Sequence, residues 1–240
     1  MTRQRIDRPF CRSASRSVRG QVRKVLVVDV GGTSVKIFAS GQQTVRKFHS
    51  GSKLTPKQMV AGVVKAAKGW TYDVVSIGYP GPVSRGMLLE EPKNLGPGWV
   101  GFDFKKAFGC PVKLINDAAM QALGSYEGGR MLFLGLGTGL GSALIADNAI
   151  MPMELAHLPY KNGRTFEDYV GLRGLERRGK AKWRRAVDDV VTRLKTALVA
   201  DYVVLGGGNA MKLTQLPEGV RLGDNTHAFI GGQRLWEAAE

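Results

Sequence analysis

Residues 25–30, VLVVDV, are apolar apart from Asp29, and residues 35–39, VKIFA, are again rich in β-formers, with Gly31, Gly32 and Thr33 between them. Two such runs around a glycine turn predict a hairpin rather than a strand that enters a helix, which separates this turn from the common nucleotide loop. Met59, Val60, Val63, Val64 and Ala67 recur at helical spacing and predict a helix over 56–68. DVVSIGYPG, from Asp73, reads as a buried strand that ends at a Gly-Pro turn, and PKNLGPGWVGF as a loop. A short strand is expected over 112–115, a helix over 117–124 and a strand over 131–136. LGTGLGSALI then offers a second glycine turn flanked by β-formers. VDVGGTSVKIFA and LGLGTGLGSALIA therefore share one pattern, half a chain apart, as an internal duplication would produce.

That pattern predicts two α/β lobes with a central cleft, about 25–115 and 116–240; a last helix is expected around Gln233 to Ala239, with the first lobe as one place for it to pack. Glycines without side chains let backbone N–H groups close on an anion, so each hairpin turn suits phosphate. Two other glycine patterns do not. Gly174 to Lys180 nearly fits the Walker spacing, but Ala181 stands where a metal-binding hydroxyl belongs and no β-run precedes it. In Gly137-Thr-Gly139-Leu-Gly141, Ser142 replaces the third glycine of a dinucleotide loop and a strand follows where a helix belongs.

Composition narrows the class. No apolar run is long enough to span a bilayer, and Cys11 and Cys110 make neither a disulfide framework nor a metal motif, so a reducing cytoplasm is the expected setting. The net charge of +15 is uneven: Arg3, Arg5, Arg8, Arg12, Arg16, Arg19, Arg23 and Lys24 face only Asp7. Residues 1–24 read as a disordered basic tail or a start placed too far upstream, with a targeting or nucleic-acid arm as the lesser alternative. Arg173, Arg177, Arg178, Lys180, Lys182, Arg184 and Arg185, broken mainly by Glu176, are either a track for a polyanion or a solvated helix face. Lys105, Lys106 and Lys113 add to the same field.

Candidate chemistry lies between the turns. Asp117, in INDA, stands where a strand passes into a helix and is either a helix cap or a cleft carboxylate. Glu154 and His157 in MPMELAHLPY, Glu167 in TFEDYVG, and Asn94 and Asn116 complete a set of donors and acceptors suited to sugar hydroxyls.

In order, DVGGTSVK, YPGPV, NLGPGW, INDA, GLGTGLGSALI, ELAHLPY, TFEDYVG and VVLGGGNA resemble the ROK family of sugar kinases and repressors, and most of all its polyphosphate glucokinases. The resemblance runs from about Val25 to the C-terminus and implies the two-lobed actin-like ATPase (ribonuclease H-like) fold. It implies that Asp117 is the catalytic base and that Asn94, Asn116, Asp117, Glu154, His157 and Glu167 contact glucose. Asp29 would position Mg²⁺ through water. Gly31, Gly32 and Thr33 would lie on one side of the phosphates and Gly137, Thr138 and Gly139 on the other. Lys36 either adds positive charge there or is an exposed strand lysine. Gly207, Gly208 and Asn209 resemble the turn that borders adenosine in these kinases, or are a tight turn with a helix cap.

The implied activity is a glucokinase that uses polyphosphate, ATP or both. An ATP-only hexose kinase and a catalytically silent sugar-binding regulator are the alternatives. Many ROK proteins carry a cysteine-rich zinc motif between the cleft histidine and the last cleft glutamate; this sequence has no cysteine there, so zinc is not expected. Ala156 replaces the glycine usual before the histidine, and the winged-helix domain of the repressors is not expected. Family members are commonly dimers, which makes a homodimer an expectation. A membrane partner is not expected, and nucleic acid is disfavoured.

Overall fold

The computed structural model describes residues 23–224 and 226–237. Cys11 and the expected tail, apart from Arg23 and Lys24, lie outside the described residues. The chain divides into two compact units, one of residues up to Ile115 together with those from Leu235 onward, the other Asn116–Arg234. Lys24 already belongs to the fold, since its N–H donates to Asp73 Oδ2 at 2.9 Å and its carbonyl accepts from Asp73 N at 2.8 Å.

In the first unit β1 (Val25–Val30) and β2 (Ser34–Ala39) form the expected hairpin, and β3 (Arg46–His49) extends it antiparallel. Helix α1 (Pro56–Ala66) starts at Thr55, whose hydroxyl accepts from Gln58 N while the Gln58 side chain accepts from Thr55 N. Strand β4 (Val74–Tyr79) pairs in parallel with β1. A small hairpin, β5 (Val83–Ser84) and β6 (Met87–Leu88), and helix α2 (Phe104–Phe108) precede β7 (Val112–Asn116). The sheet order is β3-β2-β1-β4-β7. Every side chain of β1 is buried, so its apolar run reflects a central strand covered on both faces. The core gathers Met59, Val63, Trp70, Tyr79, Phe104 and Phe108 around Trp99, which is fully buried.

The second unit contains α3 (Asp117–Ser125), β8 (Met131–Leu136), β9 (Leu140–Ala146), β10 (Ala149–Met153), α4 (Phe166–Val170), α5 (Leu172–Ala197), β11 (Tyr202–Gly206), β12 (Val220–Leu222) and α6 (His227–Arg234). Its sheet order, β10-β9-β8-β11-β12, repeats that of the first unit. In each, an antiparallel meander, β1-β2-β3 or β8-β9-β10, is followed by a strand parallel to its first member, β4 or β11. The two glycine hairpins therefore occupy equivalent places, as the repeated sequence pattern predicts. The near-Walker run Gly174–Lys180 falls inside α5, and β9 continues as a strand where a dinucleotide loop would enter a helix.

Two expectations need correction. The last described helix, α6, ends at Arg234, earlier than the 233–239 span read from the sequence, and packs on α3 of its own unit. A Cβ on Gly124 would lie 1.8 Å from His227 O, and one on Gly231 the same distance from Met120 O, so these two helices meet backbone to backbone. The residues that return to the first unit follow α6: Trp236 Nε1 donates to Ser76 Oγ at 2.9 Å, with Lys113 Nζ 4.7 Å from the indole. The basic run is also not one helix face, because Gly179, with φ +73°, breaks α5 between Arg178 and Lys180.

The second half of α5 is anchored by Trp183, whose indole donates to Val170 O at 2.8 Å, and by Asp189, which accepts from Tyr160 Oη and Lys161 Nζ and pairs with Arg193. The hydrogen bond from Tyr160, then that from Lys161, hold the Asp189 carboxyl down at about 2. A carboxylate depressed in the folded state stabilises above its unfolded value of 3.8 and loses that contribution as pH falls toward 2. The side chain is about a third exposed, so solvent screening reduces the effect to about 1 kcal/mol. Asp189→Asn should lower unfolding free energy by that amount at pH 7 and by progressively less from pH 4 downward, as read by urea titration.

Candidate active site

In the first unit the turn Gly31–Thr33 is closed by Gly31 N donating to Ser34 O at 3.1 Å. Neither Gly31 nor Gly32 has a left-handed φ, so glycine is required here by closeness rather than by conformation. A Cβ on Gly31 would lie 3.0 Å from Ser34 O, and one on Gly32 would lie 3.3 Å from Asn94 Cβ. Asn94 and the glycine turn are thus brought together. Ser50, the residue after β3, fixes the turn, its N–H donating to Thr33 O at 3.1 Å and its hydroxyl to Gly31 O at 2.7 Å.

The loop that carries Asn94 is held by Glu91, which accepts from Trp99 N at 3.1 Å and Val100 N at 3.0 Å, and by Trp99 Nε1 donating to Leu54 O. Gly96 lies against the backbone of Lys53, where a Cβ would be 2.8 Å from the carbonyl.

Asp29, on β1, is cross-strand partner to Lys36, whose Nζ stands 3.6 Å from Asp29 Oδ2. Burial pushes the Asp29 carboxyl above the ordinary value and Lys36 only partly offsets this. Lys36 is therefore paired rather than simply exposed. One carboxylate two residues before a glycine turn fits Mg²⁺, which keeps most of its waters and takes one or two carboxylates plus phosphate oxygens.

In the second unit the first three residues of β9 hold three parts of the candidate site. Leu140 N donates to Glu167 Oε2 at 3.2 Å. Gly141 abuts α3, where a Cβ would be 2.8 Å from Ala118 Cβ. The Ser142 hydroxyl donates to Met153 O at 2.7 Å and accepts from Leu155 N at 3.2 Å, which fixes the segment containing Glu154. Glu154 leads into the short 3₁₀ turn Leu155–His157, so Glu154 and His157 share one element and both are exposed.

At the head of α3 the cap is Asn116 and not Asp117. Asn116 has extended backbone and its Oδ1 accepts from Ala119 N at 3.1 Å. Asp117 is the first helical residue, and its Oδ1 accepts from Ala118 N at 2.8 Å. A carboxylate in the first turn also has the favourable sign toward the helix dipole.

The turn Gly137–Gly139 is joined to the 207–209 turn. Asn209 N donates to Leu136 O at 2.9 Å and Asn209 Nδ2 to Gly137 O at 2.8 Å. The Asn209 side chain therefore serves the Gly137–Gly139 turn and makes no capping bond to the 3₁₀ turn Ala210–Lys212 that it precedes. Lys212 Nζ donates to Asn209 Oδ1 at 2.6 Å, and Arg184 donates to Lys212 O through Nε at 3.1 Å and a terminal nitrogen at 2.7 Å. Arg184 thus leaves the basic track and becomes a support of this turn. Leu172 N, at the start of α5, donates to Thr138 O at 3.2 Å. A Cβ on Gly139 would sit 2.3 Å from Glu167 Oε2, so glycine lets that carboxylate lie against the turn.

Gly207 has φ +81°, and a Cβ there would lie 2.5 Å from Leu136 O. Gly207→Ala should therefore destabilise by roughly 2 kcal/mol or more, combining left-handed strain with a backbone clash. Gly208→Ala meets nothing within 4 Å and has no such φ, so it should stay within about 0.5 kcal/mol of the parent in urea unfolding. Equal losses in both variants would contradict this packing.

Sequence reasoning missed Ser50 and Glu91, met Ser142 only as the break in a glycine pattern, and placed Arg184 in the basic run. Ser142 alone carried a local signal, a hydroxyl within an otherwise apolar, buried strand.

The chain is 25% identical to the polyphosphate glucokinase of Mycobacterium tuberculosis, over 77% of each protein. Among solved structures it resembles an inorganic polyphosphate/ATP-glucomannokinase from an Arthrobacter strain, with TM-score 0.72 and 21% identity over 89% of this chain and 98% of that one. It also resembles a ROK family glucokinase from Streptomyces griseus in complex with glucose and AMPPNP, with TM-score 0.71 and 17% identity over 88% and 98%. The structural likenesses show the actin-like ATPase fold. The ROK family model matches residues 25–152, more than half of the sequence, and the chain belongs to the ROK family.

Proposed function

We propose that the protein is a glucokinase that transfers the terminal phosphoryl group of inorganic polyphosphate, or of ATP, to the 6-hydroxyl of glucose. The observation that carries this reading is the start of β9, where Leu140, Gly141 and Ser142 hold Glu167, α3 with Asp117, and the Glu154 turn in one unit. Asp117 takes the proton as the sugar oxygen forms its bond to phosphorus and the bond to the leaving phosphate breaks. Glu154, His157, Asn116 and Glu167 are the second unit's groups for orienting the sugar, and Asn94 is the first unit's candidate for a sugar contact. Backbone N–H groups of the Gly31–Thr33 and Gly137–Gly139 turns oppose the charge on the phosphoryl oxygens. Asp29 would hold Mg²⁺, which supplies positive charge to the phosphates when bound. Resemblance to the polyphosphate glucokinases supports polyphosphate as donor.

The bond from Asn209 to Gly137 supports ATP as a second donor, because it joins the 207–209 turn, the candidate border of adenosine, to the 137–139 turn, the candidate for its phosphates.

The test is glucose 6-phosphate formation by purified protein with Mg²⁺ and either ATP or long-chain polyphosphate at matched low salt. Product with polyphosphate is expected. Product with ATP alone would reduce the protein to an ATP-dependent hexose kinase. No product with either, despite glucose binding, would favour a silent sugar-binding regulator.

A further inference from the structure

Gly179 breaks the basic run and leaves its members with different roles. Arg184 holds the Lys212 carbonyl, whereas Arg173, Lys180 and Arg185 are exposed. Arg177, Arg178 and Lys182 turn into a cavity of about 440 Å³, together with Asn162, Arg164 and Tyr169. Arg164, from the loop before α4, was not part of the sequence-level track.

Tyr169 underlies the cations: the Arg178 guanidinium is 4.4 Å from the ring centroid and that of Arg177 is 5.8 Å away. Arg177 is fixed by a bond to Asp168 O at 2.6 Å. Arg178 Nε is buried and has no hydrogen-bond partner among the described residues. A guanidinium N–H in that state lacks an acceptor that an incoming anion can provide.

The nearby carboxylates do not neutralise the group. Asp168 Oδ2 is engaged by Thr165 N at 3.0 Å and by the Thr165 hydroxyl at 3.1 Å. These bonds, the backbone one foremost, with Arg164 and Arg177 as lesser contributors, hold its carboxyl below the ordinary range. Glu176 is exposed and does not line the cavity. Four cations therefore face one cavity with one carboxylate at its margin.

This excess selects a ligand with several negative charges spaced along its length. Arginine forks match phosphate oxygens in pairs, and a single carboxylate or phosphate would leave most of the donors unused. The site is continuous with the catalytic unit. Helix α4 carries both Tyr169 and Glu167, and α5 begins with Leu172 bonded to the Thr138 carbonyl of the phosphate turn.

We propose that this cavity binds a chain of phosphate groups through Arg164, Arg177, Arg178 and Lys182. Naming inorganic polyphosphate as the occupant rests on the donor reading given above.

The test uses the full chain and long-chain polyphosphate, with binding measured by titration calorimetry at several salt concentrations. Arg164→Gln/Lys182→Gln is the informative variant, since both side chains are exposed and neither makes a hydrogen bond among the described residues. Affinity should fall about tenfold at low salt, the slope of log affinity against log salt should decrease by about one to two, and the melting temperature should be retained. Unchanged affinity and slope in the variant, or no polyphosphate binding by the parent protein, would overturn the proposal. Parent binding that the variant loses, with no glucose 6-phosphate formed from polyphosphate, would leave the site standing and remove the donor reading.

Discussion

Asp117→Asn should bind glucose nearly as well as the parent protein while turnover falls by about 10²–10⁴-fold, the usual consequence of losing a general base. The substitution separates chemistry from architecture. Asn116 already caps α3, so the helix does not depend on a charge at 117 for its start. An amide oxygen can still accept from Ala118 N, the bond that Asp117 Oδ1 makes at 2.8 Å. What asparagine cannot do is take a proton from the sugar hydroxyl. Glucose affinity measured by calorimetry and kcat measured by product formation should therefore respond very differently. A variant that retains near-parental kcat would remove Asp117 from the catalytic role, whatever its effect on stability.

Such a prediction can be framed from sequence because some of the site is written in local patterns and some is not. The two glycine hairpins are legible, since β-formers on either side of a glycine turn have few other solutions, and their recurrence anticipates two sheets of the same strand order. Asp117 is legible as a residue at a strand-to-helix passage, although the division of labour with Asn116 required geometry.

The unread parts are those where one side chain acts at long range. Ser50 on the Gly31 carbonyl, Glu91 on the Trp99 loop and Arg184 on the Lys212 carbonyl leave no periodic trace. The short strands β3, β10 and β12 have too few residues to alternate convincingly. The basic run is only partly legible for a related reason. Charge spacing suggests one face, but a left-handed glycine in its middle redirects the backbone, and the cavity takes its fourth cation from another loop.

Asp29→Asn should act on stability and activity in opposite directions. The Asp29 carboxylate is buried on a central strand, its pKa is raised chiefly by that burial, and Lys36 at 3.6 Å compensates incompletely. A carboxyl whose folded-state pKa is raised favours folding below its unfolded value of 3.8 and loses that advantage as pH rises through the folded value. Above its unfolded value the group is therefore a net burden on the fold. Neutral asparagine lifts that burden, and Lys36 is exposed enough to be solvated when its partner's charge is removed.

The variant should gain roughly 1 kcal/mol or more in unfolding free energy at pH 7, with the gain shrinking toward pH 4. Turnover should fall by about 10²-fold or more, because the carboxylate proposed to hold Mg²⁺ is lost. Raising Mg²⁺ should recover part of that loss if Asp29 acts by holding the metal. Loss of stability at pH 7, or activity equal to the parent, would show that the Asp29–Lys36 pair is a structural feature of the β1–β2 hairpin and not a component of the phosphate site.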